Sequence, residues 1–247
     1  MSPRDRRERS VLAAARNSAE WCDSLCGTHG IRGRFDSDAW ITPRRTPRLY
    51  PDAITLDPAA DAGSILERID LTSPGASIKD SFATLDLSPL GFRVVREAEW
   101  IQREPSPAGM TEPRDRTWTA IETADDLVVW EAAWHVDGAP EGLFRPALQR
   151  DPSVTILGGH LDASIVAGAI ANRTGRGVIG LSNVFSSVGD LEGAWRGILG
   201  YLDATLPGAA VVGYAAGVDL DVAHLLGFRS VGPLRIWVRG SDLAGSV

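Results

Sequence analysis

Between Val154 and Phe185 three apolar stretches follow one another, Val154–Gly158, Ala163–Ala171 and Gly177–Phe185, separated only by short turns rich in Gly, Asp and Asn. Gaps that short hold no helix, so the three are read as successive strands of one sheet. The next segment changes period. Leu191, Trp195, Ile198, Leu199 and Leu202 fall on one face of a helix over Leu191–Leu206. Ala210–Tyr214 then reads as an apolar strand, and Leu220–Leu226 as a helix ended by Gly227. Phe228–Arg239 is expected to hold two short antiparallel pieces turned at Gly232-Pro233. Upstream, Trp118–Ile121 is a strand, and Thr123 and Asp125 cap a helix running to Trp134. The order is β-α-βββ-α-β-α-β(β), an α/β chain of the α+β kind, with helices on a mixed sheet.

The N-terminal part reads less regularly. Asp52–Leu56 is a short strand and Ala60–Ile69 a helix, with Ile65, Leu66 and Ile69 inward. Ser77–Leu85 and Phe92–Gln102 are strands joined through Ser88-Pro89-Leu90-Gly91. Hydrophobic period is lost from Glu104 through Gly109 and on to Arg116, which places a boundary between a region 1–108 and a domain 109–247. The Arg-rich start is expected to be a frayed arm leading into a surface helix. Its apolar run, Val11–Ala15, is too short for a signal peptide, so a cytoplasmic location is expected.

Composition matters here for what it excludes. The 247 residues carry a net charge of −7, which argues against a nucleic-acid partner. No apolar stretch approaches the roughly 18 residues of a membrane span, so no membrane partner is expected either.

The order of elements, with His224-Leu225-Leu226-Gly227-Phe228-Arg229 and Gly180-Leu181-Ser182-Asn183-Val184-Phe185, resembles the GNAT-type N-acetyltransferase fold over roughly residues 117–239. Leu-Gly-Phe closes a helix in that family. Gly227 permits the left-handed turn, and Phe228 is then buried beneath the sheet. Gly91-Phe92-Arg93-Val94-Val95 echoes Gly227-Phe228-Arg229-Ser230-Val231. The N-terminal region is thus either a truncated, degenerate half-copy of the fold or a coincidence of two amphipathic hairpins.

The resemblance implies acetyl-CoA as cosubstrate, with its arm along a splayed strand and its pyrophosphate at the start of the following helix. Carried onto this chain, the implied binding residues are Val184 and Phe185 at the strand end, then Gly189, Gly193 and Ala194 in the loop and helix start. The match departs where the family favours Gly and this chain has Asp190 and Glu192. Two carboxylates facing a pyrophosphate would repel it by about 1 kcal/mol each. The alternative is a helix start that these acids simply cap. Where many members have a catalytic Tyr, this chain has Ala223, which leaves Tyr214 and His224 as proton-transfer candidates. The implied activity is direct acetyl transfer to a small-molecule or peptide amine. The alternative is a non-catalytic module for ligand binding or protein interaction with a decayed cofactor site.

Other features are weighed the same way. Cys22 and Cys26, with His29 nearby, fit no standard zinc spacing and read as packing residues, so no metal site is expected. Gly175-Arg176-Gly177-Val178-Ile179-Gly180 matches a dinucleotide fingerprint but leads into a strand rather than a helix. Ser182 lacks the second glycine of a nucleophile elbow. Trp130, Trp134, His135 and Phe144 form either an acceptor wall or a core stripe. Arg44, Arg45 and Arg48 form either a phosphate holder or a solvated run.

Overall fold

The structure, a computed structural model, describes residues 2–105, 110, 116–173, 175 and 177–240. The chain divides into two compact units, each drawn from separated segments. One comprises Met1–Trp100, Asp137–Leu143 and Val231–Val247, the other Ile101–Val136 and Phe144–Ser230. The expected boundary between 108 and 109 falls among residues 106–109 and 111–115, outside the described residues, as does Arg176 of the fingerprint match.

The first unit begins with α1 (Pro3–Thr28), started by a capping box in which the Ser2 hydroxyl accepts from the Asp5 amide and the Asp5 carboxylate from the Ser2 amide. The expected frayed arm is corrected here, because α1 is already helical from Pro3. Val11, Ala14, Ala15, Ala19, Cys22, Leu25 and Cys26 are buried at three- and four-residue spacing, so one face of α1 is core. Two short strands that the sequence reading did not anticipate, β1 (Arg34–Phe35) and β2 (Ala39–Ile41), form a hairpin. β3 (Ala53–Thr55) pairs antiparallel to β2, and α2 (Ala62–Leu66) crosses to β4 (Ser77–Asp80), which is parallel to β3. α2 is shorter than the helix expected over 60–69. β4 stops at Asp80 rather than Leu85 because the Asp80 carboxylate accepts from the Phe82 and Leu85 amides and turns the chain. β5 (Phe92–Arg103) follows Gly91.

The second unit holds β6 (Thr117–Ala120), α3 (Ala124–Trp134), β7 (Val154–Leu161), β8 (Ser164–Arg173), β9 (Val178–Ser186), α4 (Leu191–Thr205), β10 (Ala210–Ala215) and α5 (Val218–Leu225). Its strand order is β10-β9-β8-β7-β6, antiparallel throughout except for the parallel pair of β9 and β10. The three central strands and α4 are those expected from the sequence. Ala167, Ala169 and Ala171 of β8 turn to the core under α4, which their small side chains let approach closely. On the other face Gly168 leaves room for Trp130 and Phe185, since a Cβ there would stand 2.4 Å from the Trp130 Nε1.

The last strand, β11 (Arg229–Arg239), is one continuous element, and this corrects the two pieces expected. Gly232 is not a turn residue. A Cβ on it would stand 2.6 Å from Val11, so glycine admits α1. Residues of β11 from Val231 onward complete the first unit's order β1-β2-β3-β4-β11-β5. Gly91 and Gly227 do the same local work: each has a positive φ, 80° and 89°, and each precedes a buried phenylalanine.

Cys22 and Cys26 pack in the first unit's interior, and the His29 Nε2 meets the Leu143 carbonyl at 2.8 Å instead of a thiol. Burial pushes the Cys22 thiol up to about 11 and the Cys26 thiol higher still. Both are expected to resist a thiol reagent at pH 8 in the native state and to react once the chain is unfolded. A thiol that keeps its proton when folded and loses it when unfolded makes stability fall with rising pH. Urea midpoints should therefore drop between about pH 9 and pH 11, and the drop should be smaller in Cys22→Ala.

Candidate functional site

β9 and β10 run parallel but pair over only three residues, Val178–Gly180 with Ala210–Val212. A Cβ on Gly213 would stand 2.8 Å from the Leu181 carbonyl oxygen, so the backbones still touch one residue further on. Beyond that the ladder between them ends, although β9 continues to Ser186 and β10 to Ala215. The cause lies on the other edge of β9. Ser182 faces Ile170 and Phe185 faces Gly168, so Asn183 and Val184 together oppose the single residue Ala169. This is a β-bulge, with Asn183 in the left-handed region at φ 55°. The bulge turns Val184 toward the core beneath α4 while Phe185 packs edge-on against Trp130 at 5.3 Å. Strand backbone of Val184 and Phe185 is thereby presented where β10 has parted.

The chain then turns through Gly189, whose φ is 76°, into α4. Asp190 is the N-cap. One of its oxygens accepts from the Gly193 amide at 2.9 Å, and the other accepts from the Arg116 Nη2 at 2.6 Å. Glycine at 193 is demanded by that cap, because a Cβ would stand 2.1 Å from the Asp190 Oδ2. Ala194 is fully buried in the core below. Glu192 pairs along the helix with Arg196, at 2.9 Å to Nε and 2.7 Å to Nη2.

The two acids at the helix start therefore do not stand as bare negative charge. Each carboxylate is paired with a guanidinium, Asp190 with Arg116 and Glu192 with Arg196. Arg116 is the residue that sequence reasoning missed. It lies 74 positions from Asp190, in a stretch without hydrophobic period, and its side chain is 5% exposed against 48% for its partner.

The proton-transfer candidates are placed differently. Tyr214 is half-buried on the end of β10 that has left β9. His224 is exposed on α5, with its Nε2 3.0 Å from the Ser230 hydroxyl. Ala223 is fully buried in the core. The Ser182 Oγ is buried without a hydrogen-bond partner among the described residues. Trp130 and Trp134 belong to the core, each edge-on to Phe144, and the Trp130 Nε1 donates to the Leu157 carbonyl. In the first unit Arg45 is committed to the buried Asp52 and to the carbonyls of Asp70 and Ser73, so Arg45 itself is no free phosphate holder. No helix among the described residues is long and apolar enough to cross a membrane.

No protein-family model matches the sequence, and no curated protein matches it. Solved structures do resemble it. A GCN5-related N-acetyltransferase from Kribbella flavida superposes with a TM-score of 0.64 at 16% identity, covering 94% of this chain and 97% of that one. A protein assigned to the GNAT family from Novosphingobium aromaticivorans gives 0.57 at 15% identity, over 92% and 99% of the two chains. A conserved protein of unknown function from Staphylococcus epidermidis gives 0.57 at 12% identity, over 83% and 92%. The chain has the GNAT fold. The likeness extends well beyond the half of the chain that carried the sequence resemblance.

The cap can be tested by itself. Asp190→Ser keeps an oxygen for the Gly193 amide, whereas Asp190→Ala does not. Asp190→Ala should be less stable than Asp190→Ser by about 1 kcal/mol, read as a lower urea midpoint at unchanged slope. Equal midpoints would show that the cap contributes nothing.

Proposed function

We propose that this chain, built on the GNAT fold, is an acyltransferase that moves an acetyl group from acetyl-CoA to a small-molecule or peptide amine. The observation that carries the reading is the parting of β9 from β10 immediately ahead of an α4 start whose acids are both paired. The residues present suit such a cosubstrate. Backbone groups of Val184 and Phe185, released from β10, can hydrogen-bond an amide-bearing arm as a further strand would. Gly189 lets the loop turn without a side chain in the way, and the first amides of α4 have no intrahelical partners, which suits a phosphate. Ala194 holds the helix against the core so that this end stays fixed.

Acetyl-CoA would supply the activated thioester. The chain's own part is to orient it, to admit the amine, and to return a proton to the departing sulfur. Tyr214 is the favoured proton donor because it stands on the parted end of β10, whereas His224 is tied to Ser230 on an exposed face. A second reading keeps the fold as a non-catalytic binding module in the cytoplasm. The core burial of Ala223 favours it, because α5 then offers no hydroxyl at the place where many members carry tyrosine.

At a hundredfold excess over Kd, acetyl-CoA should stabilise the folded protein by about 2.7 kcal/mol, a rise of roughly 5–10 °C in Tm for a chain of this size. No shift at millimolar acetyl-CoA would overturn the reading. Tyr214→Phe should lower kcat by about 100-fold while the acetyl-CoA-induced shift persists, and His224→Gln should leave both unchanged. A shift without turnover of any amine would select the non-catalytic module.

A further inference from the structure

The parting of β9 and β10 has two faces. Leu181 of β9, with Val211 and Ala215 of β10, belongs to the core beneath α4. Alternation along the strands therefore puts Gly180 and Ser182, with Val212 and Tyr214, on the opposite face. Gly180 and Val212 are the last pair of the ladder, so Ser182 and Tyr214 hold matching positions just beyond it, where the strands separate. Across the other edge of β9, Ser182 faces Ile170, and both Ile170 and Val212 are buried. Beside these apolar neighbours the Ser182 Oγ is itself buried, with no hydrogen-bond partner among the described residues, while the residue as a whole is half-buried. A hydroxyl taken out of water without a partner costs the folded state free energy that alanine would not. No bond fixes its rotamer either, so rotation about χ1 can carry the oxygen toward the exposed side of the residue.

We propose that Ser182 is a specificity-determining residue for the acceptor, its hydroxyl accepting an N–H of the incoming primary amine. The inference rests on the acyltransferase reading above. Ser182 lies two residues before Val184 on β9 but on the face turned away from α4, so it is approached from the side opposite the helix start. An N–H donated to Oγ leaves the nitrogen lone pair free, as a nucleophile requires, and the serine proton remains available to a further acceptor. Tyr214 shares that face, which brings the amine and the proposed proton donor to one opening. Neither β9 nor β10 carries an acidic residue, so on these strands the amine meets a hydroxyl rather than a carboxylate. Because that hydroxyl makes no bond in the free protein, the amine gains one without breaking another. A site that hydrogen-bonds one group also discriminates against ligands that lack it.

The test is steady-state transfer from acetyl-CoA to a broad panel of primary amines, among them phenethylamine, spermidine and trialanine. The wild-type chain, Ser182→Ala and Ser182→Thr are compared, with Tm measured alone and with millimolar acetyl-CoA. For an amine that the wild type acetylates, Ser182→Ala should raise the KM for that amine about tenfold, the worth of one hydrogen bond. The acetyl-CoA-induced shift should persist and Tm should not fall, because the lost hydroxyl holds nothing in the free protein. Ser182→Thr keeps a hydroxyl in a strand-compatible residue and should restore most of the loss. An unchanged KM in Ser182→Ala overturns the inference and leaves the acyltransferase reading standing. A lower Tm together with a smaller acetyl-CoA shift also overturns it, since the serine would then serve the fold. An acetyl-CoA shift with no amine acetylated overturns it in favour of the non-catalytic module. No shift at all overturns the acyltransferase reading and the inference together.

Discussion

Both oxygens of Asp190 are in use, one closing the first turn of α4 through the Gly193 amide and the other meeting Arg116. The start of α4 is set by that pair of contacts. The cap fixes where α4 begins, Gly193 is small because the capping carboxylate fills its side-chain space, and Ala194 seats the helix on the alanines of β8. Without the cap, three or four amides at the front of a buried helix would have to find other partners. The negative charge of Asp190 also complements the positive end of the α4 dipole, as that of Glu192 does.

The bulge at Asn183 and Val184 complements this arrangement from the strand side. A parallel pair such as β9 and β10 would ordinarily keep its ladder to the strand ends. Here one extra residue bends β9 away after Gly180, so main-chain groups are offered next to a helix start that favours anions. Strand edge and helix end are both made of backbone. That explains how a chain sharing 16% identity with a GNAT structure can keep the geometry while changing most of the side chains that usually mark it.

What could be read from the sequence was whatever is written locally. The three strands of the second unit are marked by turn residues at their ends, and α4 by a helical period of large apolar side chains. Thr123 caps α3 as its chemistry suggests, and Trp130 and Trp134 face the core as residues four apart on a helix should. The errors arise where a residue's role is set by something distant in the chain. Gly232 reads as a turn beside Pro233, yet it is there because Val11 packs against it. The arginines that open α1 suggest a solvated arm, although the alanines and cysteines among the following residues face the core. Asp190 and Glu192 look like unopposed charge because one partner, Arg116, is 74 residues away in a segment with no pattern. Pair interactions across such distances leave no local period to read.

On the proposed function, the start of α4 receives the phosphates of an acyl-CoA. Titrating the isotopically labelled protein with CoA while following backbone amide resonances tests it most directly. The largest shifts are expected on Gly189 through Ala194 and on Val184 and Phe185. Shifts confined to other segments, with Val184 and Gly193 unmoved at saturation, would contradict it.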